Sequence, residues 1–253
     1  MNLAKYSANG NDFVIFHALE KKDRSDLAKE LCHRQDGIGA DGLIVIIPHE
    51  EYDFEWEFYN SDGSHADMCG NGSRACAHYA FINDLASKKI SFLTGAGVIN
   101  AKITKHHGNK KAMVMSELTP PKILNDTIEF NSLSWWLIDT GVPHLVSFVE
   151  NIAEFDMEMA RELRNKYNAN VNIAHVENNT IKVRTYERGV EDETLACGTG
   201  MAACFYRALK EDNVSGDVEV YPKSGDTLYL GMNDRTITFK GEVKNTFNTT
   251  FFL

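Results

Sequence analysis

Residues 69–76 read Cys69-Gly70-Asn71-Gly72-Ser73-Arg74-Ala75-Cys76, and residues 197–204 repeat the pattern as Cys197-Gly198-Thr199-Gly200-Met201-Ala202-Ala203-Cys204. Each stretch begins Cys-Gly-x-Gly and ends on a second cysteine. In both, the glycines predict a turn and the alanine-rich continuation predicts a helix, which places the first cysteine at or just before a helix N-terminus. The free amides and the helix dipole at such an end favour a thiolate and can also hold a carboxylate. Cys69 and Cys197 are therefore candidate reactive groups.

A packing role is the alternative for each of these cysteines. Cysteine is among the most buried residue types, and a single cysteine in a glycine-rich turn would be a small core residue. Two turns with the same pattern favour the chemical interpretation for Cys69 and Cys197. Cys76 and Cys204 lie two helical turns further along, on the same helix face among alanines, and we interpret them as packing residues.

The composition limits the class of function. The 253 residues suffice for one large domain or two moderate ones, and the formal net charge is −10 at pH 7. This acidic excess argues against nucleic acid and against an anionic membrane as partners. The start lacks a signal-peptide pattern and no later run approaches a membrane span, so we expect a cytoplasmic protein. The five cysteines lack the C-x-x-C pairs of zinc sites, which predicts reduced thiols and no metal.

Strand and helix signals recur in the same order in two halves of the chain. Each half reads as strand, turn, strand, helix, two strands and a cysteine turn, and Thr119-Pro120-Pro121 separates the halves because two prolines end regular structure. Ser25 is the predicted N-cap of the first helix. The helices predicted before the two cysteine turns are residues 25–34 and 156–167, and the strands are residues 13–16, 43–47, 54–59, 135–139, 145–149, 170–174 and 181–186. The repetition predicts two similar lobes.

Two matched cysteines suit one reaction in particular. Inverting a carbon that bears an acidifiable hydrogen needs a base on one face and an acid on the other. If the two lobes face each other, Cys69 and Cys197 approach a shared cleft from opposite sides, one as thiolate and one as thiol. The two helix N-termini would hold the substrate carboxylate and stabilise the charge that develops beside it.

The chain resembles the diaminopimelate epimerase family over essentially its whole length. The matching stretches are 10–13 (Gly-Asn-Asp-Phe), 60–64 (Asn-Ser-Asp-Gly-Ser), 69–74, 141–144 (Gly-Val-Pro-His), 171–172 (Val-Asn) and 187–200, which begins Glu-Arg-Gly and ends Ala-Cys-Gly-Thr-Gly. The two cysteine motifs together with Glu-Arg-Gly are highly specific, whereas Asn-Gly turns alone are weak. The resemblance implies an enzyme that interconverts LL- and meso-diaminopimelate without a cofactor, in lysine and peptidoglycan-precursor synthesis.

The resemblance also implies a role for each matching residue. Cys69 matches the proton donor and Cys197 the proton acceptor in the LL-to-meso direction, and His144 and Glu187 match residues that tune the site. The substrate-binding positions it implies are Asn11, Asn60, Gly70, Asn71, Asn172, Glu187, Arg188, Gly198 and Thr199. From the residues alone, the adjacent charges of Glu187 and Arg188 suit a distal zwitterion, whereas His144 is equally a turn histidine bonded to backbone.

The implied fold is α+β, with two pseudo-symmetric lobes that each wrap a mostly antiparallel, barrel-like sheet around a central helix, and with the active site in the cleft between them. We expect the first lobe at residues 1–117, joined by strands from about 240–253, and the second at residues 118–239. The resemblance further implies a homodimer, on which the sequence itself is silent. One departure is Val142, where the family often has asparagine, so one side-chain contact to the substrate is lost.

Two other functions stay open at this point. A proline or hydroxyproline racemase would share the fold and the two-thiol chemistry, but Glu187-Arg188 can bind a second amino-acid head group, which proline lacks. A non-catalytic amino-acid sensor would keep the cleft. Two activated thiols argue against the sensor, because binding alone does not require them.

Overall fold

The computed structural model describes residues 1–252, and the chain divides by its contacts into two compact units. Unit 1 is Met1–Glu117 together with the chain from Lys240 onward, and unit 2 is Leu118–Phe239. Unit 1 contains β1 (Asn2–Ala8), β2 (Asn11–His17), α1 (Ser25–Cys32), β3 (Gly42–Ile47), β4 (Phe54–Asn60), α2 (Gly70–Ile82), β5 (Lys89–Thr94), β6 (Gly97–His107) and β7 (Lys111–Glu117). Unit 2 contains β8 (Lys122–Phe130), β9 (Leu133–Asp139), β10 (Pro143–Phe148), α3 (Met157–Tyr167), β11 (Asn170–Glu177), β12 (Thr180–Glu187), β13 (Asp192–Thr194), α4 (Gly198–Lys210), β14 (Val218–Tyr221) and β15 (Leu228–Asn233). The last strand, β16 (Thr236–Thr250), begins in unit 2 and continues in unit 1.

Unit 1 is a closed eight-stranded barrel around α2. Its strands are neighbours in the order β1 to β7, and β16 follows β7 and pairs with β1 to close the circle. Residues 70–80 of α2 are all buried, and the helix packs against β1, β2, β3, β6 and β7. Its alanines are small enough to fit among the aromatic side chains that the strands direct inward, such as Phe13, Phe58 and Phe92. Helix α1 packs against β3 and β4 in a separate core cluster.

Unit 2 likewise arranges its strands around a central helix, α4. Its strands are neighbours in the order β8-β9-β10-β11-β12-β14-β15, with β13 paired to β12 and the start of β16 beside β15. Helix α4 packs against β9 to β12, and α3 packs against β11 and β12. In each unit, two parallel strands flank the first helix, and an antiparallel strand then leads to the cysteine and the central helix. The predicted α+β fold, a mostly antiparallel sheet around a central helix in each half, is confirmed.

Two local expectations differ from the structure. Ser25 is the first residue of α1 rather than its N-cap, since Arg24 precedes the helix and the Ser25 hydroxyl instead donates to Asp23 Oδ1 at 2.6 Å. The sequence pattern also predicts no strand at residues 122–130, where β8 lies. Most side chains of β8 are exposed and its register with β9 shifts twice, so its sequence carries little of the alternation that marks a half-buried strand. No helix within residues 1–252 is both long and apolar enough to cross a membrane.

Candidate active site

Cys69 is the N-cap residue of α2. Its extended backbone (φ −146°, ψ 117°) directs the half-buried side chain back over the first turn, where Sγ accepts a hydrogen bond from the Gly72 amide at 3.3 Å. A Cβ at position 72 would lie 3.6 Å from Sγ, an ordinary contact, and 3.2 Å from Ile44 Cδ1, so the thiol and the Ile44 side chain both pack against this glycine. The predicted placement of Cys69 at a helix N-terminus is confirmed, and the arrangement favours a thiolate.

Arg74 lies one turn further along α2 and is fully buried. Its guanidinium donates to Gly70 O at 3.0 Å, to Asn71 Oδ1 at 2.7 Å and to Asn9 Oδ1 at 2.7 Å, which ties the β1–β2 turn to the first turn of the helix. Burial lowers the pKa of Arg74 to about 9, and the charge of Cys69 acts in the opposite direction. The guanidinium therefore stays cationic at neutral pH.

Asn11 contacts Asn71 on one side and a charged cluster on the other. The cluster consists of Lys5, Asp12, Arg34 and Asp41. Asn71 Nδ2 donates to Asn11 Oδ1 at 2.6 Å, and Asn11 Nδ2 donates to Asp41 Oδ2 at 3.1 Å. Lys5 Nζ lies 2.8 Å from a carboxylate oxygen of Asp12, and Arg34 bonds both Asp12 and Asp41. Burial alone would raise the pKa of Asp12, but hydrogen bonds from Arg34 and Lys5 hold it below its ordinary value. The cluster fixes the Asn11 amide at the edge of the barrel.

Asn60 ends β4 at this same edge. It is opposite Gly42 in the sheet, and Gly42 is in turn opposite Phe13, two residues after Asn11. Asn60 is exposed, and its Nδ2 donates to Ser64 Oγ at 2.9 Å. The next residue, Ser61, donates its amide to Asp41 O at 3.0 Å. In unit 1 the structure thus brings Asn11 and Asn71 into contact at the start of α2, with Asn60 on the neighbouring loop.

Cys197 begins α4 as Cys69 begins α2. It is the N-cap residue, with φ −122° and ψ 108°, and it is 8% exposed. Its Sγ lies 3.5 Å from Thr199 Oγ1, and Thr199 Oγ1 lies 2.9 Å from His144 Nε2. Thr140 Oγ1 donates to the Thr199 carbonyl at 2.9 Å, which holds this turn against the β9–β10 connection. Unit 2 therefore places the thiol, a hydroxyl and an imidazole in one continuous chain of contacts.

His144 and Asn172 form the buried end of that chain. Both are fully buried, and Asn172 Nδ2 lies 3.1 Å from His144 Nδ1 and 2.8 Å from Leu145 O, while Asn172 Oδ1 accepts from Thr185 Oγ1 at 2.8 Å. Burial lowers the pKa of His144 to about 3, with the charge of Arg188 acting in the same direction. The imidazole is therefore neutral at physiological pH, and the Asn172 amide is engaged within the protein.

Glu187 and Arg188 lie at the end of β12 in the same unit. The Arg188 amide donates to Asn170 Oδ1 at 2.7 Å, and Asn170 Nδ2 lies 3.3 Å from His144 Nε2, so the Asn170 side chain lies between the Arg188 backbone and the imidazole. Arg188 Nη1 donates to Asn168 O at 3.0 Å. Burial raises the pKa of Glu187 above its ordinary value. The side chains of Glu187 and Arg188 are both half-buried, which suits contact with a polar ligand.

The remaining cysteines lie in the core. Cys76 and Cys204 are completely buried, and burial raises the pKa of each thiol, so they behave as the packing residues that the sequence predicts. None of the five cysteines in the described chain forms a disulfide. Within residues 1–252, no group of three or more His, Cys, Asp or Glu side chains is placed to hold a metal ion.

Sequence reasoning assigned no role to several residues of these networks, among them Asp41, Arg74 and Asn170. Asp41 lies in a glycine-rich loop and Asn170 opens a strand, and neither position carries a signal of its own. Arg74 does carry one, because a charged side chain among glycine, serine and alanine in a helix predicted to be central must be buried with polar partners.

The fold and the paired cysteine turns define a class of protein. A solved structure of a phenazine biosynthesis protein of the PhzF family from Bacillus anthracis superposes with a TM-score of 0.74 at 16% identity, covering 100% of this chain and 99% of that chain. A structure described as a probable proline racemase from Agrobacterium radiobacter K84 gives 0.77 at 12% identity, covering 100% and 93%. At such identities the likeness shows the fold alone, the two-unit fold of PhzF proteins and proline racemases.

The sequence comparisons identify the family. The family model described as "Diaminopimelate epimerase" matches residues 3–123 and 136–244. The diaminopimelate epimerase of a Nitratiruptor species is 61% identical over 252 residues, which cover 98% of each chain. The chain belongs to the diaminopimelate epimerase family, and it is an enzyme of the isomerase class.

Proposed function

We propose that this protein converts LL-diaminopimelate to meso-diaminopimelate, in lysine and peptidoglycan-precursor synthesis, and that Cys69 and Cys197 are its two bases. The observation that carries the proposal is the matched placement of the two thiols, each as the N-cap residue of a central helix. Membership of the family supplies the substrate, and the reaction proceeds without a cofactor. The proposal requires each thiol to reach one face of the same α-carbon.

The proton transfers balance between the two thiols. In the LL-to-meso direction, the Cys197 thiolate takes the α-proton, and the Cys69 thiol delivers a proton to the opposite face of the carbanion. The enzyme is left with a Cys197 thiol and a Cys69 thiolate, and proton exchange with water restores the starting state. An α-proton is a very weak acid, and each unit of pKa mismatch costs about 1.4 kcal/mol. Oriented amides that bind the charge developing on the carboxylate offset this cost.

The helix N-termini are suited to bind the reacting carboxylate. The first amides of a helix have no acceptor within the helix. In α2 the Gly72 amide bonds Cys69 Sγ and the Ser73 amide bonds Cys69 O, and we assign the amides of Gly70 and Asn71 to the substrate. The corresponding amides of α4 are those of Gly198 and Thr199.

The distal end of diaminopimelate carries a second ammonium and carboxylate. We assign the carboxylate of Glu187 to the ammonium and the guanidinium of Arg188 to the carboxylate, because opposite charges at hydrogen-bond distance give the strongest recognition. Asn11, Asn60 and Asn172 are further substrate-binding positions in this proposal. Asn172 reaches the substrate only if its amide exchanges one of its internal bonds.

His144 and Glu187 tune the thiols in this proposal. A neutral His144 adds no charge to the Cys197 turn, so it acts through the hydroxyl of Thr199 rather than as a cation.

We further propose that the enzyme works in the cytoplasm as a homodimer, as the family resemblance implies. Sedimentation of the purified protein would show a single species of about twice the chain's 28.4 kDa.

Deuterium labelling tests the proposed reaction. The purified, reduced protein is incubated with LL-diaminopimelate in deuterated water without added pyridoxal phosphate. The stereoisomers are separated by chiral chromatography, and their deuterium content is measured by mass spectrometry. Meso product with deuterium at the inverted carbon is expected. Exchange into proline but not into diaminopimelate would move the assignment to a racemase, and no exchange into either would favour the amino-acid sensor.

A further inference from the structure

The two cysteine turns match in backbone but differ in charge. Positions 69 and 197 both hold the N-cap thiol, and the glycines at 72 and 200 correspond. Five residues after the thiol, however, unit 1 has Arg74 and unit 2 has Ala202, and both are fully buried. The helix N-terminus beside Cys69 therefore carries a full positive charge that the other helix lacks.

The guanidinium of Arg74 is fixed at the base of the Cys69 turn. It bonds the carbonyl of Gly70, the residue directly after the cysteine, and its other bonds run to the side chains of Asn71 and Asn9. These three acceptors are neutral, so they do not cancel the charge of the guanidinium. In a buried site an opposite charge stabilises an anion far more than it does in water.

We propose that Arg74 is a positioning residue that stabilises the thiolate of Cys69 and makes Cys69 the more acidic of the two N-cap thiols. In unit 2, the neutral His144 and the Thr199 hydroxyl take the corresponding place beside Cys197, and they supply a hydrogen bond rather than a charge. The form of the free enzyme with its thiolate on Cys69 therefore predominates, and it is the form that deprotonates the meso isomer. The LL isomer binds the form with its proton on Cys69 and its thiolate on Cys197.

The carboxylate nearest Cys69 in sequence is that of Asp67, which is exposed, and the other charged groups near this end of α2 form a balanced cluster. Among the strands that pack against the helix, β1 and β2 contribute Lys5 and Asp12, and the loop before β3 contributes Asp41. Arg34, just after α1, bonds both aspartates, so the cluster contains two cations and two anions. On α2 itself, Cys76 and His78 lie further along, where burial disfavours the charged form of each.

The mechanistic consequence rests on the proposed epimerase function. Cys69 gives up its proton in the LL-to-meso direction and becomes a thiolate, and Arg74 stabilises the charge that appears on Sγ at that step. In the reverse direction the same cation stabilises the base. Loss of Arg74 should therefore change kcat/KM by the same factor in both directions, because the equilibrium between free substrates is unchanged.

The pH dependence of alkylation measures the thiol directly and needs no substrate. In a Cys197→Ser protein, the rate of Cys69 alkylation by iodoacetamide is followed by peptide mass spectrometry from pH 5 to pH 10. Arg74→Met should raise the midpoint by about one to three pH units, the usual effect of removing an opposite charge beside a titrating group. Arg74→Lys should recover at least half of the shift because it restores the charge without the forked hydrogen bonds.

The matched control is Cys197 in a Cys69→Ser protein, whose midpoint should not respond to Arg74→Met. Arg207→Met, which removes a buried arginine from α4, should leave the Cys69 midpoint unchanged.

An unchanged Cys69 midpoint in folded Arg74→Met protein, or equal shifts of both thiols, would overturn the inference. If Arg74→Met does not fold, the alkylation midpoints of the Cys197→Ser and Cys69→Ser proteins are compared with Arg74 intact. A Cys69 midpoint at or above the Cys197 midpoint would also overturn the inference. A shifted midpoint without epimerisation would count against the proposed function alone.

Discussion

At the scale of single residues, the tautomer of His144 determines whether Cys197 Sγ accepts a hydrogen bond from the Thr199 hydroxyl. Asn172 Nδ2 donates to the Leu145 carbonyl, so the neighbouring His144 Nδ1 must accept. The neutral ring then carries its proton on Nε2 and donates to Thr199 Oγ1, while Asn170 Nδ2 has the Pro143 carbonyl as its acceptor at 3.5 Å. The Thr199 hydroxyl is left to donate its own proton to Cys197 Sγ.

Thr199→Val tests this hydrogen-bond chain. Valine keeps the shape but cannot donate, and a hydrogen bond to a charged group contributes about 1.5 to 3 kcal/mol. We expect kcat/KM to fall by roughly 10- to 100-fold and the basic limb of its pH profile, which the less acidic Cys197 thiol sets, to move upward. Thr199→Ser should retain the profile. Thr140→Val, which removes a hydroxyl from the same turn without touching the sulfur, is the control, and an equal shift of its pH profile would contradict the account.

At the scale of elements, the two glycine turns tolerate side chains differently. A Cβ on Gly200 would lie 2.4 Å from Asn172 Oδ1, 3.2 Å from Thr185 Oγ1 and 3.3 Å from His144 Cε1. At Gly72 the nearest atom would be the flexible end of Ile44 at 3.2 Å. The start of α4 is therefore packed against a side chain held by hydrogen bonds to Leu145 and Thr185, whereas the start of α2 faces a flexible apolar one.

Gly200→Ala should consequently cost more stability than Gly72→Ala. Overpacking of a buried site costs about 1 to 3 kcal/mol, whereas in α2 the gain in helix propensity of up to about 1 kcal/mol offsets a minor clash. Urea unfolding of both variants beside wild type gives the comparison. A Gly200→Ala protein as stable as Gly72→Ala would show that the Asn172 network is looser than the structure indicates.

The sequence predicts the elements that carry strong patterns and misses those that depend on tertiary partners. The four helices and, apart from β8 and β13, the strands before Cys197 follow from periodicity and turn residues. The N-cap positions of Cys69 and Cys197 follow from glycine and alanine alone. Strand β8 is missed because its side chains are mostly exposed. The contacts of Asn172 with His144 and Thr185 are missed because the three residues lie on three different strands. Such contacts are set by strand pairing, which a single sequence does not reveal.

At the scale of the whole molecule, two buried histidines govern the response to acid. Burial lowers the pKa of His78 to about 4 and that of His144 to about 3, from an ordinary value of 6.5. Between pH 6.5 and pH 4 the unfolded chain takes up protons at both positions and the folded protein does not. The free energy of unfolding should therefore fall as the pH drops through this window, by about 1.4 kcal/mol per pH unit for each histidine.

Urea unfolding at pH 7, 6 and 5 measures this slope. His78→Gln should remove about half of the pH dependence of the unfolding free energy. The control His107→Gln, at an exposed position, should leave this dependence unchanged. A slope that does not change in His78→Gln would mean that His78 is protonated in the folded protein.

The two-thiol reaction itself is tested most directly by removing each thiol separately. Cys69→Ala and Cys197→Ala are assayed for meso-diaminopimelate formed from the LL isomer, with Cys76→Ala as the control that changes a packing cysteine. Both N-cap variants should keep the fold and lose at least ~100-fold in rate, since each removes one of the two proton-transfer groups, and Cys76→Ala should stay active. Turnover close to that of wild type in either N-cap variant would contradict the account.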